Sequence, residues 1–532
     1  SIELARRGYV VLALDLHSHG DSESLSIAEL YDGAVGVDGA VQLIASLPYV
    51  DTARIGVTGH SSGGTAANMA VEIDNSRETP LIAAVLQQAG DWQDDTGGDH
   101  SGDYGSRSVG IIASTHDDFY FGTYDDAGNM LTNPAAFMET DGAKKFLNFN
   151  EDGFAGIAEG GKYYTRDFDG KTAYRVIYRP NMIHPLVAFS TTCVGYAVDF
   201  FDTTLGAPKP LPASDQIWPI KAVFNSLGVI GLLIFMVSFT LVLLDTPVFS
   251  ALRSGEIVQP APVQDSGAKA WYWVLLIIGA VFSGSSFLFC MNTVYSKTTN
   301  FFVQTGPLTI GTWAALCGVF AIFCSAVFYG AYGKKHGWSA RRAGLYLNLE
   351  QLWKTIALAV IVIVVSFGLV FAAHYFFQVD YRMYVVAFKT FGADKVLIAL
   401  RYLPFFLLFY VMNSISANCF NYNTIGGKNG NILIFAFFNA LGAIFVVASQ
   451  YIYFYATGYQ LYGLTEGQRI GPIWLFPCMV LLFVTPIMSR IIYKRTRNPY
   501  IAGLINAMFI VMISCSNTTT ILGGGELIAT TF

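Results

Sequence analysis

Charge is what this sequence has least of. Asp, Glu, Lys and Arg make up 13% of its 532 residues, against 53% hydrophobic ones, whereas about 25% of a typical soluble domain is charged. That composition excludes a disordered chain and a single ordinary soluble domain. The few charges are also unevenly placed: residues 1–212 hold 29 acidic and 13 basic residues, net −16, while residues 213–532 hold 9 and 19, net +10. Cysteine is sparse too. Of seven, only Cys193 falls in the first 212 residues, so no disulfide framework braces that part internally. No Cys/His spacing suggests zinc, and no GxxxxGK loop offers a phosphate cradle. No cofactor and no nucleic-acid partner is expected.

What the second part has is long apolar runs, at about 223–244, 270–291, 308–332, 353–377, 396–416, 431–455, 472–493 and 500–515. Most reach the roughly 20 residues that cross a bilayer's hydrocarbon core, the last being marginal, and they contain essentially no carboxylates. The pattern predicts an all-α transmembrane bundle of about eight helices over residues 213–532, with the lipid bilayer as its partner. Trp218, Trp271, Trp273, Trp353, Tyr451 and Trp474 fall near the predicted ends, as interfacial aromatics do. Asn413, Asn439, Gln450 and Asn506 are expected to hydrogen-bond between helices, and Arg401, His374 and Arg490, near span ends, to snorkel. By alternation, Gly333–Leu352 (Lys334, Lys335, Arg341, Arg342) and Tyr493–Pro499 (Lys494, Arg495, Arg497) share one side, with Arg382, Lys389 and Lys395 on the other. Positive loops stay cytoplasmic, which predicts a multi-pass protein of the cell membrane with residues 1–212 on the extracytoplasmic face. The acidity of that part would disfavour anionic substrates arriving through water.

Within the first part, residues 59–63 read Gly59-His60-Ser61-Ser62-Gly63, preceded by Arg54–Thr58, read as a short buried strand, and followed by a helix start at Thr65–Ala70. Strand, tight turn and helix around GxSxG make a nucleophile elbow. The serine is held in a strained conformation, and flanking side chains would collide with the adjacent strand and helix. Ser61 is therefore the candidate nucleophile of a serine hydrolase, with the backbone amide of Ser62 as a candidate oxyanion donor. His60 is read as a packing residue pointing away from the reacting groups.

Gly8–Ser22 and Asp51–Gly64 together resemble the α/β-hydrolase superfamily, particularly its dienelactone-hydrolase and esterase-like branches. The resemblance covers about residues 1–210 and implies an α/β-hydrolase domain over residues 1–212 with a triad in the chain order Ser, acid, His. A strand-like Val109–Ser114 runs into Asp117 and Asp118, and the resemblance favours Asp117 as the acid, with Asp118 the alternative. Of His100, His116 and His184, only His184 follows the acid, and it comes after a strand-like Thr172–Tyr178. The resemblance further implies that Ser1–Gly8 ends the family's first helix and that a strand starts at Tyr9. The opening strands and the second oxyanion loop would then precede residue 1, leaving the domain incomplete at its N-terminus.

Weaker signals remain. The acidic loop Asp91–Asp103 could bind calcium, but its spacing does not fit an EF-hand, and a solvated loop is the plainer reading. Tyr120–Thr172 is a candidate lid, and Gly523–Leu527 a flexible turn. The leading expectation is a membrane-integral serine hydrolase cleaving an ester, thioester or amide of a small-molecule or lipid-like acyl substrate, with carboxylic esters first. The alternatives are a transporter-like membrane protein carrying an attached hydrolase-fold domain, and an acyltransferase using the same acyl-enzyme.

Overall fold

A computed structural model describes residues 1–526 except 94–97, 126–128, 264, 380 and 385. Part of the acidic loop, part of the candidate lid and Leu527 of the C-terminal turn therefore lie outside the described residues. The first part is a mixed α/β region. Strands β1 (Ile55–His60), β2 (Ile82–Gln88), β3 (Ser108–Ile112), β4 (Tyr164–Phe168) and β5 (Lys171–Tyr178) lie in the order β1-β2-β3-β5-β4. All are parallel except β4, which forms an antiparallel hairpin with β5. Val57, Val85, Val109 and Arg175 stand in one register across the parallel strands.

Helices cover both faces, which is why β2 and β3 are nearly continuous apolar runs rather than alternating ones. Successive side chains feed opposite cores. Val85 and Ile111 pack with Val41 of α1 (Val37–Ala45) and Ala66 and Ala70 of α2 (Ser62–Asn75). Leu86 and Ile112 pack with Phe200, Phe201 and Leu205 of α3 (Thr191–Leu205).

Two expectations fail here. The strand predicted from Tyr9 does not form: residues 9–16 join no sheet, and Val10 and Leu12 are 46% and 42% exposed. An extended run becomes a strand only where another strand completes its ladder, and the sheet gives β1 only β2 as a neighbour. For the same reason β1 is not a fully buried strand; Ile55 and Val57 are buried, but Gly56 and Thr58 are exposed. The short helix ahead of it, Ile2–Arg6, lies where it was expected.

Among the described residues, eight helices follow that are long and apolar enough to cross a membrane, supporting a multi-pass membrane protein. They are α4 (Trp218–Leu244), α5 (Ser266–Thr293), α6 (Thr305–Ala331), α7 (Leu349–Phe377), α8 (Ala393–Ile415), α9 (Gly427–Thr457), α10 (Glu466–Thr496) and α11 (Pro499–Ser516). Most outrun the apolar segments that announce them, because capped polar turns extend the ends. Asn348 accepts from Gln351 N at 2.8 Å and Thr465 from Gln468 N at 3.2 Å.

The membrane amides do bond between elements. Asn413 donates to Asn439 Oδ1 (2.6 Å), Asn439 to Leu482 O (2.6 Å) and Asn506 to Thr485 O (3.3 Å), while Gln450 Oε1 accepts from Tyr462 N (2.8 Å). Arg490 does not snorkel. It is 2% exposed, donates to Asn418 Oδ1 (2.8 Å), Asn431 Oδ1 (2.9 Å) and Ala417 O (2.5 Å), and lies 3.9 Å over the Tyr422 ring. Partners from other segments hold the guanidinium inside, which a reading of one span at a time misses.

The two regions are fastened at several points. Glu3 Oε1 accepts from Ile217 N (2.7 Å) and Trp218 N (2.8 Å), capping the start of α4. Arg7 binds Leu211 O, Pro212 O and Asp215 O, so the segment between α3 and α4 is held against the Ile2–Arg6 helix. Beyond α11, Thr520 N donates to Ser18 O (2.9 Å), and Ile521–Leu522 pairs in parallel with Leu25–Ser26.

Arg490→Ala is expected to lower the thermal midpoint of the solubilised protein clearly, because it strands the buried Asn418 and Asn431 carbonyls at about 1–3 kcal/mol each. Lys145→Ala, which removes one exposed ion pair with Asp152, should leave the midpoint nearly unchanged. Equal midpoints for the two variants would show that the Arg490 network is not structural.

Candidate active site

The carboxyl ends of β1, β3 and β5 meet along one edge of the sheet, the usual place for a site in an open α/β sheet, and each supplies one of the three candidates. Ser61 follows β1 at φ 56°, ψ −124°, and α2 starts immediately after it. This conformation costs a non-glycine residue about 1–3 kcal/mol. The surroundings enforce it: Ser61 N donates to Gln88 O at 2.9 Å, and Ser61 O accepts from Gly64 N at 2.7 Å. A Cβ on Gly59 would run into the Gly63 carbonyl, as the elbow requires. Gly63 itself faces open space. The close approach falls on Gly64, where a Cβ would strike Gln87 Oε1 on β2. Ser62, buried, opens α2, where a helix N–H has no acceptor within its own helix.

Asp117 lies past β3 in a turn pinned to the end of β5 by Ala113 N to Tyr178 O (2.9 Å) and Thr115 N to Pro180 O (3.0 Å). Its carboxylate is fully buried and accepts from Phe119 N (3.0 Å), Tyr120 N (2.9 Å), Ser114 Oγ (3.1 Å) and His184 Nδ1 (2.9 Å to Oδ1). Since a carboxylate only accepts, His184 carries its proton on Nδ1, leaving Nε2 as the basic atom. Burial alone would raise the Asp117 pKa and lower that of His184. Their mutual attraction and hydrogen bond outweigh it, so Asp117 is held below the usual carboxylate range and His184 above the usual imidazole. The Tyr120 ring stacks on His184 at 5.9 Å, and Phe119 meets it edge-on at 4.9 Å.

The structure thus brings Asp117 and His184 into direct contact. Among the described residues no hydrogen bond joins Ser61 Oγ to His184; contacts of this kind are often long in an unliganded site. The link runs through His60, whose Nε2 lies 3.1 Å from His184 O and whose ring sits 4.8 Å from the His184 ring. His60 packs, but on the base rather than away from it, and burial pushes its pKa down to about 4. His116 packs on Phe454 and Tyr455 of α9, and His100 Nδ1 bonds Asp103 Oδ2 at 2.9 Å. Among the described residues no group of three or more His, Cys, Asp or Glu side chains could hold a metal ion.

Asp118, the alternative acid, has a different place. Its Oδ2 accepts from the backbone N of His184 (3.2 Å), and its backbone O accepts from Gln460 Nε2 (2.7 Å) beyond α9. Oδ1 is buried, and the Tyr451 hydroxyl of α9 lies close enough to act on this carboxyl as a hydrogen-bond donor. Burial first, with the negative charge of Asp117 added, pushes Asp118 up to about 8. No local pattern in the sequence marks Tyr451 or Gln460 as neighbours of the site; only the docking of the two regions reveals them.

Between about pH 4, where an unfolded aspartate ionises, and about pH 8, where Asp118 does, the folded chain holds one more proton here than the unfolded chain. Asp118 therefore makes stability fall as pH rises across that window. Thermal midpoints recorded against pH should fall less steeply for Asp118→Asn than for the parent protein; parallel curves would refute the protonated carboxyl.

Comparison with protein-family models, curated proteins and solved structures finds no match to this chain, so its geometry alone carries the functional reading.

Proposed function

We propose that this protein is a membrane-integral serine hydrolase that cleaves an ester, thioester or amide, with carboxylic esters as the first substrate class to test. The observation that carries the reading is the buried Asp117–His184 pair on the same sheet edge as a strained Ser61. Ser61 Oγ attacks the acyl carbonyl as His184 Nε2 takes its proton, and Asp117 fixes the imidazole and stabilises its cation. The oxyanion faces the Ser62 amide. Collapse expels the alcohol, thiol or amine, which receives the proton from His184, and water then releases the acyl group by the same steps. Acyl transfer to a membrane acceptor would share every step but the last.

The sidedness proposed with it puts the α/β region outside the cytoplasm. Lys334, Lys335, Arg341 and Arg342 fall between α6 and α7, and Arg497 between α10 and α11. Helix alternation sets both connections on the face away from the α/β region, and basic connections are retained in the cytoplasm.

Membranes holding the full-length protein should label with a fluorophosphonate probe, and Ser61→Ala should abolish labelling and turnover of short p-nitrophenyl esters without changing the protein's amount. His184→Ala should be nearly as damaging, and Asp117→Asn somewhat less so. Labelling that survives in Ser61→Ala would remove the nucleophile. For sidedness, the native cysteines are buried or half-buried, so a cysteine at exposed Asp152 should react with an impermeant maleimide in intact cells, and one at exposed Lys335 only after lysis. The reverse pattern would make the α/β region cytoplasmic.

A further inference from the structure

Between α6, α8, α10 and α11 lies a cavity of about 420 Å³, within the roughly 300–1,000 Å³ of ligand sites. Its origin is visible in the sequence. Pro472, Pro477 and Pro486 lie inside α10 and Pro404 inside α8, each removing a helix hydrogen bond, and Pro477 lines the cavity. Small residues, Gly306, Ala314 and Ser514, leave the space unfilled. The walls are apolar: Trp313, Phe406, Phe409, Trp474, Leu481 and Ile510.

The mouth differs in character and faces the α/β region. It is bordered by Arg382 and Lys389 from the hairpin Tyr381–Met383/Val386–Phe388, by Asp15, His19 and Gly20, and by Phe189 from the turn that begins at His184. Asp15 Oδ2 accepts from Asp21 N at 2.9 Å. Lys395 adds a cation beside it, bonded to Gly20 O and, at 3.2 Å, to Asp21 Oδ1. Thr518 Oγ1, also lining the mouth, is buried without a hydrogen-bond partner. The same hairpin reaches the turn that begins at His184, since Tyr384 OH donates to Pro185 O at 3.2 Å and its ring lies 4.5 Å from Phe189.

We infer that this cavity binds a single-chain anionic amphiphile, with its acyl chain among the helices and its acidic head at Arg382 and Lys389. An apolar shaft inside a membrane bundle favours a hydrocarbon chain by about fourfold per methylene buried, and cations at the mouth favour an anionic head. A long-chain amphiphile partitions into the bilayer rather than staying in water, so the net −16 of residues 1–212 does not bar it as it bars anions arriving through water. As the acyl-chain site of a substrate or product, the cavity rests on the proposed hydrolysis; its occupancy does not need Ser61.

Binding can therefore be read in full-length Ser61→Ala protein in lipid nanodiscs, with a long-chain fatty acid brominated at mid-chain as the probe. Bromine quenches nearby indole fluorescence, and Trp313 and Trp474 line the cavity. Quenching should contain a saturable component that unbrominated palmitate displaces and that Trp313→Phe/Trp474→Phe removes. Arg382→Gln/Lys389→Gln should weaken the acid by about tenfold or more while leaving the brominated methyl ester within about twofold. Ala314→Phe should abolish the saturable component by filling the shaft; the mouth variant gives an independent reading if that protein does not fold. Quenching that never saturates would overturn the site. Equal affinity for acid and methyl ester in the parent protein would overturn the assignment of the head group. Probe labelling of the parent protein tests hydrolysis separately.

Discussion

An even number of candidate spans, eight among the described residues, returns the chain to the face from which it left, and most of what joins the two regions depends on that parity. Because α11 ends beside the α/β region, Ile521–Leu522 can pair with Leu25–Ser26 and Thr520 can reach Ser18. The connections after α7 and α9 fall on the same face and deliver Tyr384 to Pro185 and Gln460 to Asp118. One helix more or fewer would carry the chain's end to the opposite face. The membrane region is thus more than an anchor: it forms one wall of the candidate site.

Asp117 and Asp118 show how that wall differentiates two identical neighbours. Asp117 turns into the α/β region, where two amides, a hydroxyl and an imidazole stabilise its charge. Asp118 turns toward α9; it accepts from one backbone amide, that of His184, with the Tyr451 hydroxyl beside it, and its burial is otherwise uncompensated. Burial opposes ionisation in both, and the number of compensating donors decides the outcome. The carboxyl beside α9 is pushed up to about 8, next to an imidazole whose basicity the ionised Asp117 raises.

Legibility in the sequence followed the range of the interaction concerned. The eight spans could be read because membrane insertion is decided within about 20 consecutive residues, and the Ser61 turn because an elbow is a five-residue constraint. Gly63 misled, since GxSxG does not say which following glycine meets the neighbouring strand; here Gly64 does. The Tyr9 strand misled because β propensity needs a pairing partner that local sequence does not supply. Arg490 misled because Asn418, Asn431 and Tyr422 come from outside its own helix. Tyr451 and Gln460 could not be placed at the site at all, being more than 300 residues from Asp118 in the chain.

The pairing of Leu25–Ser26 with Ile521–Leu522 also has a bearing on biogenesis. The two strands are separated by nearly the whole chain, and synthesis proceeds at about 5–20 residues per second. The first strand must therefore wait, unpaired, for on the order of half a minute or more while all eight helices are made. The seam between the two regions closes only when the last helix is in place. Until then the Asp15–Gly20 turn lacks the strand that fastens it, and a nascent chain arrested before α11 would carry its serine turn on an unfinished wall.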